Sequence, residues 1–167
     1  MRLFVLISIL CSFPALASES TDLYSSSNIL RVSATATDSN QERNLDLEAY
    51  QHWSGNSALS VRFGTFVART PDDWKKLWGI VGSEPPGRFP PDKIAVGIML
   101  GSRSTDGYNV RVTSLRQARG GLIVVYLETK PTNPEGARKT PTSPWVVMLA
   151  PKTEGSVRFI PQSMAGY

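Results

Sequence analysis

The residue types that most often carry catalysis are scarce in this sequence of 167 residues. It contains one histidine, His52, and one cysteine, Cys11. A Ser-His-Asp triad would have to use His52, and no serine lies in the Gly-x-Ser-x-Gly context of a nucleophile elbow. A zinc site needs several His or Cys ligands, and neither a calcium-binding Asp-x-Asp-x-Asp-Gly loop nor a phosphate loop occurs. We therefore predict no catalytic centre, metal or cofactor.

Carboxylates are the remaining groups with catalytic potential, because two of them on either side of a substrate can carry out hydrolysis. Asp72 and Asp73 are explained by capping of a predicted helix, whereas Asp106 falls in a turn and Glu128 at a strand end. No spacing in the sequence brings two acids together. A carboxylate-based hydrolase therefore stays an alternative. The other acids considered are Asp92, Glu135 and Glu154.

The segment 101–108, Gly-Ser-Arg-Ser-Thr-Asp-Gly-Tyr, joins two predicted strands. Gly107 after Asp106 indicates a tight turn, which needs a positive φ. The segment is either a simple turn or a binding loop displayed on a rigid sheet. Tyr108 at its end accordingly either anchors a partner or covers the apolar face.

One helix is predicted over about residues 71–81. Thr70 suits the N-cap, Pro71 suits the first helical position, and Gly82 ends the helix. Apolar residues recur at i, i+3, i+4 and i+7, which indicates one buried stripe. We interpret its two tryptophans as core residues rather than as a ligand platform. The stripe consists of Trp74, Leu77, Trp78 and Val81.

The rest of the ordered chain is predicted to be strands. Residues 59–69 are predicted as the first strand, with Val61 and Phe63 on one face and a β-bulge at Gly64. Three runs are apolar on both faces and indicate doubly covered strands. Closely spaced turns favour antiparallel pairing. The predicted fold class is therefore mainly β, an antiparallel sheet that forms a small sandwich or barrel, with one α-helix. The three runs are 94–100, 122–127 and 145–149.

The N-terminal residues resemble a secretory signal peptide. A positive start is followed by an apolar stretch and by Ala15-Leu16-Ala17, which predicts cleavage after Ala17. The stretch is shorter than the roughly 20 residues that span a bilayer, so no membrane span is expected after its removal. Leu10 rather than a small residue precedes Cys11, so no lipoprotein is expected. We predict a secreted or periplasmic protein with a flexible segment, 18–44, and one domain, 45–162.

The charge of the chain argues against nucleic-acid binding. The formal net charge is +4, and no run of Lys or Arg is longer than the pair Lys75 and Lys76. Nucleic-acid binding requires a clustered basic face. A mildly basic, solvated surface is the simpler interpretation.

Over about residues 63–160 the sequence resembles the C-terminal domain of the PrcB-like protease-complex subunit family. "TPDDWKKLW" is similar to the family's helix, and "LGSRSTDGYNVRV" is similar to its Leu-Gly-x-x-x-Thr-x-Gly-Tyr hairpin. "GGLIVVYLETKPTNPEG" and "TSPWVVMLAP" resemble its later strands. Asp106 departs from the pattern, because the family commonly has a second glycine there. The resemblance implies a bacterial, exported, protease-associated protein and supplies no catalytic residues.

A weaker likeness is to chagasin-type inhibitors of cysteine proteases, which present three loops on a β-sandwich. If the corresponding loops cluster here, Tyr108 and Trp145 are expected to be aromatic anchors. The matching residues, which form the predicted partner-binding site, are Ser104, Thr105, Asp106, Gly107 and Tyr108 in the first loop, Gly120 and Gly121 in the second, and Pro144 and Trp145 in the third.

These observations favour an exported, non-catalytic protein-binding module. The predicted role is an accessory or regulatory subunit of a protease, with inhibition as one form of regulation. An envelope structural or interaction domain without a protease partner is the first alternative. It predicts surface binding that weakens steeply with salt.

Overall fold

The computed structural model describes residues 42–162. These residues fall within a unit that comprises Ala36–Tyr167. The predicted signal peptide and nearly all of the predicted flexible segment lie outside the described residues. Within the described range no helix is both long and apolar enough to cross a membrane. The elements in chain order are β1 (Arg43–Leu45), a 3-10 turn (Leu47–Ala49), β2 (His52–Gly55), β3 (Gly64–Ala68), α1 (Pro71–Val81), β4 (Lys93–Met99), β5 (Asn109–Ala118), β6 (Gly121–Thr129), β7 (Trp145–Pro151) and β8 (Ser156–Pro161).

The strands form a sandwich of two four-stranded sheets. The first sheet has the order β1-β5-β6-β8, and the second has the order β2-β7-β4-β3. Neither sheet closes on itself, so the fold is the sandwich rather than the barrel. Alternate residues of the facing strands meet in one core between the sheets, in which Ile98, Leu115 and Val124 are fully buried.

One strand pair differs from the predicted antiparallel arrangement, because β8 is parallel to β6. The chain leaves β6 for β7 in the second sheet and then returns to the first sheet as β8. Two crossings between the sheets bring β8 back in the direction of β6. The prediction of antiparallel hairpins throughout was therefore wrong at this edge.

The two central strands of the second sheet are covered on both faces, as the sequence predicted. Ile94, Val96 and Ile98 of β4 enter the core between the sheets. Ala95 and Met99 of the same strand enter a second core beneath α1. Strand β7 divides in the same way, so α1 forms a third layer outside the second sheet.

Helix α1 has the predicted bounds, because its end signals are local. The Thr70 hydroxyl accepts a hydrogen bond from the Asp73 amide at 3.1 Å, and Pro71 occupies the first turn. Gly82 ends the helix in the left-handed region with φ 90°. All four residues of the predicted stripe are buried against the second sheet.

The tryptophans of the chain form one cluster. Trp78 lies at ring-centroid distances of 5.4 Å from Trp74, 5.6 Å from Trp53 and 5.7 Å from Trp145, each near edge-to-face. Edge-to-face contacts of this kind stabilise aromatic pairs by about 1 kcal/mol beyond area burial. The cluster joins α1 to strands β2 and β7, and its helical members are core residues as predicted.

The predicted strand over 59–69 is only partly correct. Strand β3 covers residues 64–68, whereas 59–63 pair with no strand among the described residues. Val61 and Phe63, which the alternation assigned to one face of a strand, are 69% and 58% exposed. The backbone of residues 59–61 is bonded instead to Ile80 and Val81 at the end of α1 and to Ser102.

Thr70→Ala should lower the free energy of unfolding by about 1 kcal/mol, because it removes the N-cap of α1. The Thr70 hydroxyl also donates to Asp73 Oδ2 at 2.8 Å, which is the main reason that the pKa of Asp73 lies below its ordinary value of 3.8. A carboxyl group with a lowered folded-state pKa stabilises the fold above its unfolded pKa. This contribution is lost as the pH falls through the folded pKa.

Urea unfolding of the native chain and of Thr70→Ala, at neutral pH and at pH values below 3.8, measures the loss of the N-cap and the contribution of the Asp73 carboxylate. The difference between them should shrink in acid. Ser83→Ala, an exposed change just beyond the helix, is the control and should alter stability by less than about 0.5 kcal/mol. A pH-independent difference would contradict the assigned role of Asp73.

Candidate functional site

Several of the groups considered for catalysis are engaged by structural partners. His52 is exposed on the edge strand β2. Glu128 Oε1 accepts a hydrogen bond from Arg103 Nε at 2.9 Å, and Asp92 lies 3.3 Å from Lys93 Nζ. Among residues 42–162, no three His, Cys, Asp or Glu side chains gather as metal ligands would.

Three loop segments meet at one end of the sandwich. The hydrogen bond from Leu100 N to Pro144 O continues the pairing of β4 with β7 by one step. The loop that follows β4 and the loop that precedes β7 therefore leave the sheet side by side. Arg103 and Thr142 then exchange backbone hydrogen bonds of 2.7 and 2.9 Å. Segments 101–108 and 138–144 are therefore fixed against each other.

Asp106 ties the tip of the first segment to the second. Its amide donates to Arg138 O at 3.1 Å, and its carboxylate accepts from Arg138 N at 2.9 Å. Gly107 adopts φ 84°, as the predicted turn requires. Asp106, the departure from the family pattern, thus supplies a hydrogen-bond acceptor that glycine lacks.

Arg103 holds the base of the first segment. In addition to its ion pair with Glu128, its guanidinium donates to Leu100 O at 2.9 Å and lies 5.7 Å from the ring centre of Tyr108. The Arg103 side chain is only a quarter exposed. Tyr108 is half-buried beside the arginine.

The third segment, 56–63, was missed as a site by the sequence analysis. Ala58 N donates to Ser143 O at 2.9 Å, and Ser143 N donates to Asn56 O at 2.7 Å. Ser102 N donates to Val61 O at 2.9 Å. We refer to residues 56–63, 101–108 and 138–144 together as the loop cluster.

The loop cluster displays apolar side chains that its backbone contacts hold in place. Leu59, Val61 and Phe63 are 72%, 69% and 58% exposed and alternate along the segment. Exposed apolar side chains grouped in this way mark interaction sites more often than single ones do. The alternation predicted one face of a strand, and no local signal in the sequence shows whether such a face is buried or exposed.

The loop cluster also carries exposed cationic side chains. Arg62 lies between Val61 and Phe63 in the sequence and is exposed, and Lys139 is exposed in segment 138–144. Arg138 is exposed in the same segment. Asp106 is the one carboxylate of the loop cluster, so the surface is apolar and positive.

The structure brings together only part of the predicted site. Ser104, Thr105, Asp106, Gly107 and Tyr108 lie in the loop cluster, and Ser104 and Gly107 are exposed. Pro144 is the last residue of segment 138–144 and Trp145 follows it, but both are buried, so they are unsuited as surface anchors. Trp145 packs over Gly55, where a Cβ atom would lie 2.7 Å from its Nε1.

Gly120 and Gly121 lie at the opposite end of the sandwich. They form the β5–β6 turn, whereas Tyr108 precedes the first residue of the ten-residue strand β5, roughly 30 Å away. A Cβ atom on Gly121 would collide with the backbone of Ser156. Close packing of β8 therefore accounts for this glycine, and the condition that all three predicted loops cluster is not met.

Comparison with known proteins agrees with the resemblance seen in the sequence. Residues 94–149 match the protein family described as PrcB C-terminal. The matched segment runs from β4 to β7 and contains two of the three segments of the loop cluster. Residues 56–63 and α1 lie outside it. No curated protein and no solved structure matches the chain.

Gly101→Ala should destabilise the fold more than Gly120→Ala. Both glycines have positive φ, 76° and 80°, so each substitution incurs a backbone penalty of about 1 kcal/mol. A Cβ atom at 101 would also lie 2.7 Å from the backbone of Arg62 and Phe63, whereas the space at 120 is open. Urea unfolding measures the difference in the free energy of unfolding. Equal decreases for the two variants would show that segment 56–63 does not pack closely against Gly101.

Proposed function

We propose that this protein is an exported, non-catalytic module that binds a protease as an accessory or regulatory subunit. The observation that carries the proposal is the match of residues 94–149 to the PrcB C-terminal family. Two loops within this matched range contact the exposed apolar segment 56–63. The loop cluster is the proposed docking surface. Export rests on the signal peptide predicted over residues 1–17.

The physical form of the loop cluster supports docking to a protein. Backbone hydrogen bonds fix its three segments, so little conformational entropy is lost when a partner binds. Leu59, Val61 and Phe63 provide apolar area that is removed from water on association. This combination of a rigid sheet and displayed loops is common among recognition modules.

The charge of the loop cluster indicates the kind of surface that it fits. Arg62, Arg138 and Lys139 are exposed in the same loop cluster as the apolar side chains, so a complementary surface is apolar and also carries acidic groups. Rim charges mainly accelerate association and make its rate sensitive to salt. The rate of complex formation should therefore fall as ionic strength rises, while dissociation changes little.

The triple variant Leu59→Ser, Val61→Ser, Phe63→Ser should bind the protease at least about tenfold more weakly, because it removes the exposed apolar contacts. Its unfolding free energy should stay within about 0.5 kcal/mol of the native value, since the side chains are exposed. Capture from the exported fraction identifies the protease, and titration of its activity measures affinity and the direction of regulation.

Ile160→Ser is the matched control. Ile160 is 37% exposed on β8, outside the loop cluster, and the change is again apolar to polar. The control should bind like the native chain. Equal capture by the triple variant, or no protease captured and no protease activity altered across a broad panel, would overturn the proposal.

A further inference from the structure

A cleft of about 580 Å³ lies between the first turn of α1 and the loop that follows the helix. Its walls are apolar and come from Pro71, Pro85 and Phe89, with the ring of Trp74 beneath. Small-molecule sites are concave, mostly apolar and of this size. The cleft lies outside both the matched family segment and the loop cluster.

The loop is held against the helix by two contacts. Trp74 Nε1 donates a hydrogen bond to Gly87 O at 3.1 Å, and the rings of Trp74 and Phe89 lie 5.6 Å apart. Proline at 85, 86, 90 and 91 restricts the backbone on both sides of Phe89. The cleft is thereby formed before any ligand arrives.

Two cations flank the apolar walls. Lys75 extends from α1 and Arg88 from the loop, and both are exposed. Within residues 42–162, neither side chain lies at ion-pair distance from a carboxylate. The nearby acid Asp73 is engaged by Thr70 and lies 4.0 Å from Lys76. An apolar cleft flanked by two exposed cations that form no ion pair within the described range is complementary to a ligand that is apolar and negatively charged.

We propose that this cleft binds a small apolar anion, an aromatic or aliphatic group that carries a carboxylate, sulfonate or phosphate. The apolar part lies against Phe89 and the prolines. The charged part lies between Lys75 and Arg88, which have the mobile side chains needed to reach it. This proposal does not depend on protease binding, because the two surfaces share no residue.

The test uses two fluorescent probes that differ in charge, the anionic anilinonaphthalene sulfonate and the neutral N-phenylnaphthylamine. The native chain should bind the anionic probe more tightly and transfer excitation to it from the tryptophan cluster. Lys75→Glu with Arg88→Glu should lower the affinity for the anionic probe by about tenfold and the affinity for the neutral probe by less than twofold. Higher salt should reduce the affinity for the anionic probe alone.

Two control variants make the result specific. Arg111→Glu with Arg158→Glu makes the same change in net charge at exposed positions on the first sheet, which lies on the other side of the second sheet from α1, and should bind the anionic probe like the native chain. The Leu59→Ser, Val61→Ser, Phe63→Ser variant should also bind it normally. Near-ultraviolet circular dichroism of the tryptophan cluster verifies folding.

The proposal is overturned by any of three results. The first is that Lys75→Glu with Arg88→Glu leaves the affinity for the anionic probe unchanged. The second is that the control charge reversal weakens it equally, and the third is that the triple serine variant abolishes binding. The last result would place the probe on the loop cluster and would leave the proposed protease docking intact.

Discussion

The pairing of β4 with β7 is the interaction on which the rest of the structure depends. Seven residue pairs, from Lys93 with Pro151 to Met99 with Trp145, form an antiparallel ladder whose side chains are apolar on both faces. Such strands are stable only when each face is covered. The first sheet covers one face and α1 covers the other, which explains why a mainly β chain includes a helix at all.

The same ladder determines where the loop cluster lies. Because β4 ends where β7 begins, the loops beyond Met99 and before Trp145 leave the sheet side by side, and the bond from Leu100 to Pro144 holds them together. Segment 56–63 then passes from β2 to β3 across this end and bonds to both loops and to the last turn of α1. Its apolar side chains point outward because the backbone is already engaged on the inner side. A binding surface thus follows from the arrangement of the core.

Features with local causes could be predicted from the sequence, and features with distant causes could not. Helix α1 depends on Thr70, Pro71 and an apolar period within eleven residues, so its bounds were predicted correctly. The alternation of Val61 and Phe63 is the same whether the side chains face a core or a partner. Only the tertiary contacts of the segment's backbone determine whether these side chains are buried or exposed. The parallel position of β8 depends on two crossings between sheets. Burial of Trp145 depends on the small residue Gly55, which lies 90 positions earlier.

Residue-resolved amide hydrogen exchange of 56–63 tests most directly whether this segment is a preformed surface. The amides of Ala58, Leu59, Ser60 and Ser102 donate to Ser143, Val81, Ile80 and Val61 respectively, so they should exchange slowly in the isolated protein. The amides of Val61 and Arg62 donate to no backbone carbonyl of the described residues and should exchange rapidly. Fast exchange at all six positions would contradict the account, because the apolar side chains would then belong to a loose loop rather than to a fixed docking surface.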